Sequence, residues 1–250
     1  MKEARHVTTV SDTTAAGTAS KEAASGAASQ AAAPAAARRV TRPRADALRN
    51  RERIVAAARE MFVEYGSEAP LDEIARRAGI GNATLYRHFP DRRALIHGVV
   101  RSVMSRTADI AERLLAEDAA SERPDPFGAL CRFVHASADE RIGALCPMLS
   151  ETFEQDRPDT RAERERLEGL AERLMERARV AGQLRTDVTV TDVMMALSQL
   201  TRPLPDSACL NLDRFTHRHI QLLLDGMAAP ARSVLPGTAA TTEDLLPTAR

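Results

Sequence analysis

The sequence predicts an all-α protein in which a small N-terminal three-helix domain precedes a helical bundle. Apolar residues recur at the three- and four-residue spacing of helices, and turn-bounded runs of β-branched and aromatic residues are absent. A length of 250 residues with 44% apolar residues supplies a core. Residues 1–44 are rich in Ala, Ser, Thr and Gly, and 229–250 contain prolines without periodicity. We therefore expect a disordered arm over 1–44 and a disordered tail over 229–250.

Three helices are predicted at the start of the folded part. The first carries an apolar stripe made of Ile54, Ala58, Phe62 and Tyr65. It stops at Gly66, a residue type that commonly ends helices. A short helix over 71–78 follows, then a turn over 79–81, then a second short helix over 82–88 that ends before Pro90.

The rest of the chain is predicted as a series of longer helices. A long helix begins at Asp91 and runs to about residue 117. The others are predicted over 127–140, 144–153, 159–181, 190–200 and 212–227. Pro147 falls in the helix over 144–153, so it must occupy a first turn or produce a kink.

The segment LDEIARRAGIGNATLYRHF, residues 71–89, has the parts of a helix-turn-helix. It has a bracing helix, a tight turn and a second helix short enough to enter a DNA major groove about 12 Å wide. Its predicted core is Ile74, Ala75, Ala78, Ile80, Leu85 and Phe89. The outward side chains are Asn82, Ala83, Thr84, Tyr86, Arg87 and His88. Such a polar, cationic surface favours nucleic-acid contact. Two alternatives stay open: Tyr86 could instead be a core aromatic residue, and Arg87 could be a solvated surface charge.

Charge is unevenly distributed along a chain whose formal net charge is zero. Residues 38–93 hold 13 Arg and 8 acidic residues, whereas 109–192 hold 12 Arg and 19 acidic residues. A basic segment attracts phosphate and an acidic one repels it, so nucleic acid should meet the N-terminal part only. Four arginines precede helix 1, namely Arg38, Arg39, Arg42 and Arg44. They either lie along DNA or belong to a merely soluble arm, and both interpretations stay open.

Helix 1 together with LDEIARRAGIGNATLYRHFPDRRAL resembles the N-terminal domain of the TetR family of regulators, over roughly residues 48–96. The resemblance implies a helix-turn-helix DNA-binding domain over 45–92. It also implies a helical-bundle ligand-binding and dimerisation domain over 93–228. The expected function is that of a sequence-specific DNA-binding repressor, released from its operator by a small-molecule effector.

The resemblance also implies roles for individual residues. Base edges are the expected partners of Asn82, Ala83 and Arg87. Phosphates are the expected partners of Thr84, Tyr86, His88 and Arg92. These roles agree with side-chain chemistry, because Arg pairs bidentately with guanine and Asn with adenine, whereas hydroxyls and imidazole mostly bind phosphate oxygens.

This chain departs from the usual family pattern at three positions. Pro70 stands where Ser or Thr often caps the first short helix, and it offers no side-chain oxygen. Gly81 stands where Ser is common, and Asn82 replaces a frequent Lys. The base preference of relatives therefore does not transfer to this chain.

The expected partners are a double-stranded, palindromic DNA operator and a second copy of the chain. The resemblance implies a homodimer through the last two helices, with recognition helices about 34 Å apart. The apolar faces that could form it contain Val193, Met194, Leu197, Leu200, Phe215, Leu222, Leu223 and Met227. Packing within one chain is the competing explanation.

The middle helices resemble those that enclose an effector pocket. Its candidate lining is Met104, Phe127, Cys131, His135, Met148, Phe153 and Met175. Met and Phe suit an adaptable apolar pocket, but they suit an ordinary core as well.

An enzyme and a sequence-tolerant architectural DNA binder are the other function classes considered. The sequence contains no GxSxG, HExxH or phosphate-binding loop. His217 and His219 do not share a helix face, and no acidic partner is evident for Cys131 and His135. We expect no catalytic residue, metal or cofactor. Three cysteines without a CxxC and the lack of an apolar run of about 18 residues favour a soluble cytoplasmic protein without membrane contact.

Overall fold

The computed structural model describes residues 35–141, 143, 157–202 and 213–241. Its helices are α1 (Ala35–Tyr65), α2 (Leu71–Arg77), α3 (Asn82–His88), α4 (Arg92–Ala120), α5 (Pro126–Asp139), α6 (Pro158–Val180), α7 (Val190–Leu200) and α8 (Asp213–Met227). A short 3-10 helix, Gly66–Glu68, follows α1. The described residues contain no strand, only one isolated bridge between Leu184 and Ala228. The all-α prediction is confirmed.

Helices α1 to α3 and the first half of α4 share one hydrophobic core. The predicted stripe on α1 is buried at Ile54, Ala58 and Phe62. Tyr65 is the exception, since 61% of it is exposed. It is the last residue of α1, and its phenol hydroxyl tolerates water.

Helix α4 connects this core to the rest of the molecule. Asp91 caps its N-terminus, accepting a hydrogen bond from Ala94 N at 2.7 Å. Its first half packs into the N-terminal core through Leu95 and Val99, and its second half packs into the body core. Met104 contacts both cores. A shift of α4 against the body would therefore move the N-terminal domain with it.

The body consists of α5 to α8 with the second half of α4 around a second core. Local sequence explains two of the helix starts. Pro126 is the first residue of α5 and Asp125 caps it. Thr189 and Asp192 form a reciprocal capping box at the start of α7. The predicted helix over 144–153, including its Pro147, lies outside the described residues.

The ends of the folded part differ from the sequence expectation. The helical backbone of α1 begins at Ala35, inside the predicted arm over 1–44. Residues 229–241 lie in the predicted tail, yet they form an irregular segment bonded to the body. Arg185 is 5% exposed and donates to the Ser233 carbonyl at 2.8 Å, and Thr189 Oγ1 donates to the Ala240 carbonyl at 2.9 Å. Sequence periodicity does not predict this segment, because hydrogen bonds from Arg185 and Thr189 attach it to the body rather than an apolar helix face.

Within the described part of the chain, every helix falls short of the combined length and hydrophobicity that a membrane span requires.

Candidate nucleic-acid interface

A tight turn at Gly79 joins α2 to α3. Gly79 has a φ of +66°, a left-handed conformation that glycine adopts at little cost. Ile80 N donates to the Ala75 carbonyl at 3.0 Å, and Arg53 on α1 reaches the Gly79 carbonyl at 3.3 Å. The turn is thus held by bonds from both α2 and α1.

Helix α3 has the two faces that the sequence predicts. Leu85 within the helix and Phe89 at its end are each 1% exposed, and Ile74, Ala75 and Ala78 of the facing α2 region are also buried. Ile80 is only partly buried against the same core. On the outer side, Asn82, Ala83, Tyr86 and Arg87 are exposed, whereas Thr84 and His88 are half-buried.

The C-terminal end of α3 is fixed to both α1 and α4 through Phe89. A Cβ added to Gly98 of α4 would lie 2.6 Å from Phe89 Cε1, so the ring rests directly on this glycine. On α1, the Arg51 guanidinium carbon lies 4.4 Å from the centre of the same ring. These contacts set the angle at which α3 is presented.

Neither short helix begins with a side-chain cap. Pro70 and Gly81 are the residues before α2 and α3, and neither makes a side-chain hydrogen bond to its helix. This follows from their lack of a side-chain oxygen, as the sequence predicts for Pro70.

Arg87 is the cation that the outer face of α3 makes available. On α2, by contrast, Arg76 is bonded to Glu73, and Arg77 Nη1 lies 3.0 Å from Glu64 Oε1. Among the described residues, no carboxylate forms an ion pair with Arg87. Its guanidinium can therefore meet an external hydrogen-bond acceptor without first breaking an internal pair.

His88 lies beside Arg87 in an unusual environment. Burial lowers the pKa of its imidazole, and the charges of Arg87 and Arg51 lower it further. His88 Nε2 is buried without a hydrogen-bond partner among the described residues. A neutral ring with an unpaired nitrogen can accept or donate one hydrogen bond, depending on its tautomer.

Arg92 has an internal role that no sequence pattern indicates. Its Nη1 donates to the carbonyls of Ser67 and Ala69, at 2.6 and 2.7 Å. These bonds tie the start of α4 to the segment after α1. The phosphate contact implied for Arg92 by the family resemblance stays a prediction.

Two polar junctions join the N-terminal domain and α4 to the body. Glu140 Oε2, at the end of α5, accepts from Arg59 Nη1 of α1 at 2.6 Å and from Arg106 Nη2 of α4 at 2.8 Å. At the start of α6, Asp159 Oδ2 accepts from Arg101 Nη1 at 2.9 Å. Sequence reasoning misses both junctions, because the partners are far apart in the chain and exposed charges look alike in a sequence.

The candidate effector-pocket residues are dispersed in the described body. Met175 is 1% exposed within the core, Phe127 and Cys131 are partly buried against it, and Met104 lies between the two cores. His135 bonds to His217 and Gln221 of α8. Met148 and Phe153 lie outside the described residues. Three surface concavities of the described part are lined by other side chains, so the pocket stays a prediction.

The last two helices bury some of their apolar residues and expose others. Val193, Leu197 and Met227 are buried within the chain, and Met194, Leu200 and Leu223 pack partly against the same core. The exposed fraction is 42% for Met195, 37% for Phe215 and 60% for Leu222. Packing within the chain therefore accounts for the first six residues, whereas Met195, Phe215 and Leu222 leave apolar side chains exposed on α7 and α8.

Two protein-family models match the chain. A model described as "Bacterial regulatory proteins, tetR family" matches residues 54–99, which include α2, α3 and the start of α4. A second, described as "Transcriptional regulator SbtR-like, C-terminal domain", matches residues 125–229, which include α5 to α8.

Solved structures and a curated protein extend this similarity. The chain is 32% identical to the TetR transcriptional regulator SCO0520 from Streptomyces coelicolor, with 72% of this chain and 99% of that chain covered and a TM-score of 0.55. It is 30% identical to the TetR transcription regulatory protein from Mycobacterium vanbaalenii, with 74% and 99% covered and a TM-score of 0.52. The HTH-type transcriptional regulator SAB2452 from Staphylococcus aureus is 44% identical over 59 residues, which span 23% of this chain and 32% of that protein.

Proposed function

Because the chain belongs to the TetR family, a family of DNA-binding transcriptional regulators and not of enzymes, we propose that it is a sequence-specific repressor that a small-molecule effector releases from its operator. The observation that carries this proposal is the outer face of α3. Asn82, Tyr86 and Arg87 are exposed on a short helix whose other face is buried. A helix with this division can enter a major groove while its scaffold stays intact.

Each outward side chain has a proposed task. Asn82, Ala83 and Arg87 contact base edges, because an amide and a guanidinium can each make a bidentate pair with a purine. Thr84, Tyr86, His88 and Arg92 contact phosphates and fix the register of α3 in the groove.

The active form is proposed to be a homodimer built through α7 and α8. The exposed Met195, Phe215 and Leu222 support this, because apolar side chains on the last two helices gain from burial against a second copy. A two-fold dimer would present two α3 helices to half-sites about 34 Å apart, which makes the operator palindromic. The proposed location of the protein is the cytoplasm, where its DNA is.

Effector release would act through α4. This helix is shared by both cores, and Glu140 and Asp159 tie the N-terminal domain and α4 to α5 and α6. An effector that binds better to a conformer in which α4 is displaced would separate the two α3 helices. It would lower operator affinity by its differential affinity for the two conformers.

Selection from fragmented genomic DNA of the source organism tests the DNA-binding proposal. Purified full-length chain should enrich fragments that share a palindrome with half-sites about one helical turn apart. Enrichment without a common sequence would instead identify an architectural DNA binder. Absence of enrichment would refute the regulator proposal.

A mutual titration tests the effector proposal. An effector should weaken operator binding by the same factor by which the operator weakens effector binding. Operator affinity that stays constant while many different ligands bind would refute the coupling.

A further inference from the structure

The carboxylate of Glu140, at the end of α5, contacts both α1 and α4. Its Oε2 accepts from Arg59 Nη1 of α1 at 2.6 Å and from Arg106 Nη2 of α4 at 2.8 Å. The Glu140 side chain is only 16% exposed, so water cannot readily take the place of these two donors. The bond from Arg59 joins α1 directly to the body, whereas the bond between Arg101 and Asp159 joins α4 to it.

The chain turns sharply after Glu140. Arg141 has a φ of +56°, in the left-handed region that residues other than glycine rarely adopt. Arg141 N donates to the Ala138 carbonyl at 2.9 Å, which closes the turn on the end of α5. A backbone conformation of this kind persists where its surroundings hold it.

The far side of this turn is attached to the C-terminal end of α7. Gly143 N donates to Thr201 Oγ1 at 2.8 Å, and the same buried hydroxyl donates to the Leu197 carbonyl at 2.8 Å. A Cβ added to Gly143 would lie 2.3 Å from the Ser198 carbonyl oxygen, so the backbone of Gly143 rests directly on α7. Glu140 and Gly143 are three positions apart. A movement of α7 would therefore reach the Glu140 carboxylate over a short length of chain.

We propose that Glu140 is a positioning residue that transmits the placement of α7 to the N-terminal domain. Contacts run from Thr201 at the end of α7 through Gly143 to Glu140, and from Glu140 to Arg59 on α1. A displacement of α7 moves the carboxylate, and its two charge-assisted hydrogen bonds carry the movement to α1 and α4. This route reaches α1 directly, so it is distinct from effector release through α4.

The consequence for DNA binding rests on the proposed function, because α7 is one of the two helices proposed to form the dimer. Each α7 would then hold the N-terminal domain of its own chain at a fixed angle to the dimer interface. The spacing of the two α3 helices would depend on Glu140, although Glu140 itself lies on the body and contacts neither α3 nor its outer face.

Spin-label distances within one chain test the transmission without DNA. Leu48 on α1 and Val180 at the end of α6 are both exposed. Nitroxides attached at these two positions through a ketone-bearing unnatural amino acid leave the native cysteines in place, and dilution with unlabelled chain restricts the signal to pairs within one chain. Pulsed electron paramagnetic resonance should give a narrow distance distribution for the otherwise wild-type chain. The distribution should broaden in Glu140→Gln and in Arg59→Gln, because a neutral amide cannot replace the charge-assisted bond.

Two further variants release the turn from α7 and keep Glu140 and both of its arginines. Thr201→Val has nearly the same size and removes the acceptor of the Gly143 N–H. Gly143→Ala forces the turn away from the Ser198 carbonyl. Both should broaden the distribution as Glu140→Gln does. Circular dichroism establishes that each variant is folded, and Thr201→Val decides the matter if Gly143→Ala does not fold.

Glu112→Gln is the matched control. Glu112 Oε2 accepts from Arg166 Nη2 at 2.8 Å, a bond that joins α4 to α6 and does not involve the N-terminal domain. This variant should leave the distance distribution unchanged. With the selected operator, Glu140→Gln and Thr201→Val should raise the Kd about 5-fold or more, the lower end of typical coupling between two sites. A shuffled duplex should bind as it does to the wild type, because the side chains of α3 are intact.

Two results would overturn the proposal. An unchanged distance distribution in Glu140→Gln would show that the carboxylate does not position the N-terminal domain. A broadened distribution in Glu140→Gln together with an unchanged one in Thr201→Val would show that nothing is transmitted from α7. A wild-type chain that selects no operator would instead refute the proposed function, and the distance measurement would still decide the role of Glu140.

Discussion

At the scale of single residues, an unpaired charge distinguishes Arg87 from the arginines around it. Arg76 and Arg77 on α2 are bonded to Glu73 and Glu64. Arg87 has no such partner among the described residues and is exposed on α3. A substitution at Arg87 would therefore remove the proposed DNA contact without releasing an internal carboxylate.

Arg87→Ala should weaken binding to the selected operator by about 1–3 kcal/mol, the value of one bidentate contact to guanine. This corresponds to roughly a 5- to 150-fold higher Kd, measured by fluorescence anisotropy. The base preference should relax at one position of each half-site. The matched control is Arg113→Ala, whose side chain is 63% exposed near the far end of α4. Equal losses in the two variants would mean that Arg87 acts only through net charge.

Two histidines should make stability depend on pH. Burial lowers the pKa of His97, Arg157 and Arg101 lower it further, and Asp159 opposes them. Burial, Arg87 and Arg51 lower the pKa of His88. As the pH falls through about 6.5, the unfolded chain binds protons that the folded chain resists. The free energy of unfolding should therefore decrease below about pH 6.5.

Urea denaturation between pH 7.5 and 5.5 measures this dependence. His97 Nε2 lies 2.8 Å from Thr160 Oγ1. His97→Gln keeps a side chain able to hydrogen-bond to this hydroxyl, and it should reduce the slope of stability against pH. His219→Gln, at an exposed position, serves as the control and should not reproduce that reduction. An unchanged slope in His97→Gln would contradict the assignment.

At the scale of helices, the orientation of α3 depends on close contact with α4. Phe89 is 1% exposed and rests on Gly98, where no side chain separates the ring from the α4 backbone. Gly169 on α6 offers a contrast, because a Cβ added there would meet nothing within 4 Å. The same substitution at these two helical glycines should have opposite effects.

Gly98→Ala should lower the free energy of unfolding by about 1–2 kcal/mol, because overpacking against Phe89 outweighs the better helix propensity of alanine. Gly169→Ala should raise it by up to about 1 kcal/mol. Urea denaturation measures both. Stabilisation by Gly98→Ala would show that the Phe89 ring moves away without cost.

Sequence patterns predict helix bounds well where Gly and Pro at the ends of a segment agree with its apolar periodicity. Helix α3 begins at Asn82 and ends at His88 as predicted, because glycines and a proline bound it. The predicted place of Tyr65 in the buried stripe is wrong, since periodicity assigns a residue to a helix face but does not show whether another element covers it. The bonds from Arg92 to two carbonyls depend on the path of the chain after α1, which no local pattern encodes.

At the scale of the whole molecule, the contacts that local sequence patterns do not predict are those between residues far apart in the chain. The pairing of His135 with His217 and the bonds at Glu140 join helices that are far apart in the chain. Composition and spacing carry no information on such pairs. The division into two cores that share α4 likewise emerges only from the fold.

Leu222→Glu should convert the proposed dimer into monomers. Each two-fold interface would receive the substitution twice, so the dimer should weaken by about 3 kcal/mol or more, or roughly 100-fold in Kd. Sedimentation velocity measures this, and operator affinity should fall with it. Val180→Glu on α6 is the control, since Val180 is more exposed than Leu222 but lies outside α7 and α8. A dimer that survives Leu222→Glu would place the interface elsewhere.

The most direct test of the central claim compares three DNA duplexes of equal length. One carries the selected operator, one carries the same half-sites moved apart by half a helical turn, and one carries a shuffled sequence. If a dimer reads DNA with two α3 helices, the operator should bind about 10³-fold or more tighter than the shuffled duplex. The respaced duplex should lose most of that preference, because its second half-site faces away from the second α3 helix. Equal Kd values for all three duplexes would contradict sequence-specific reading by α3.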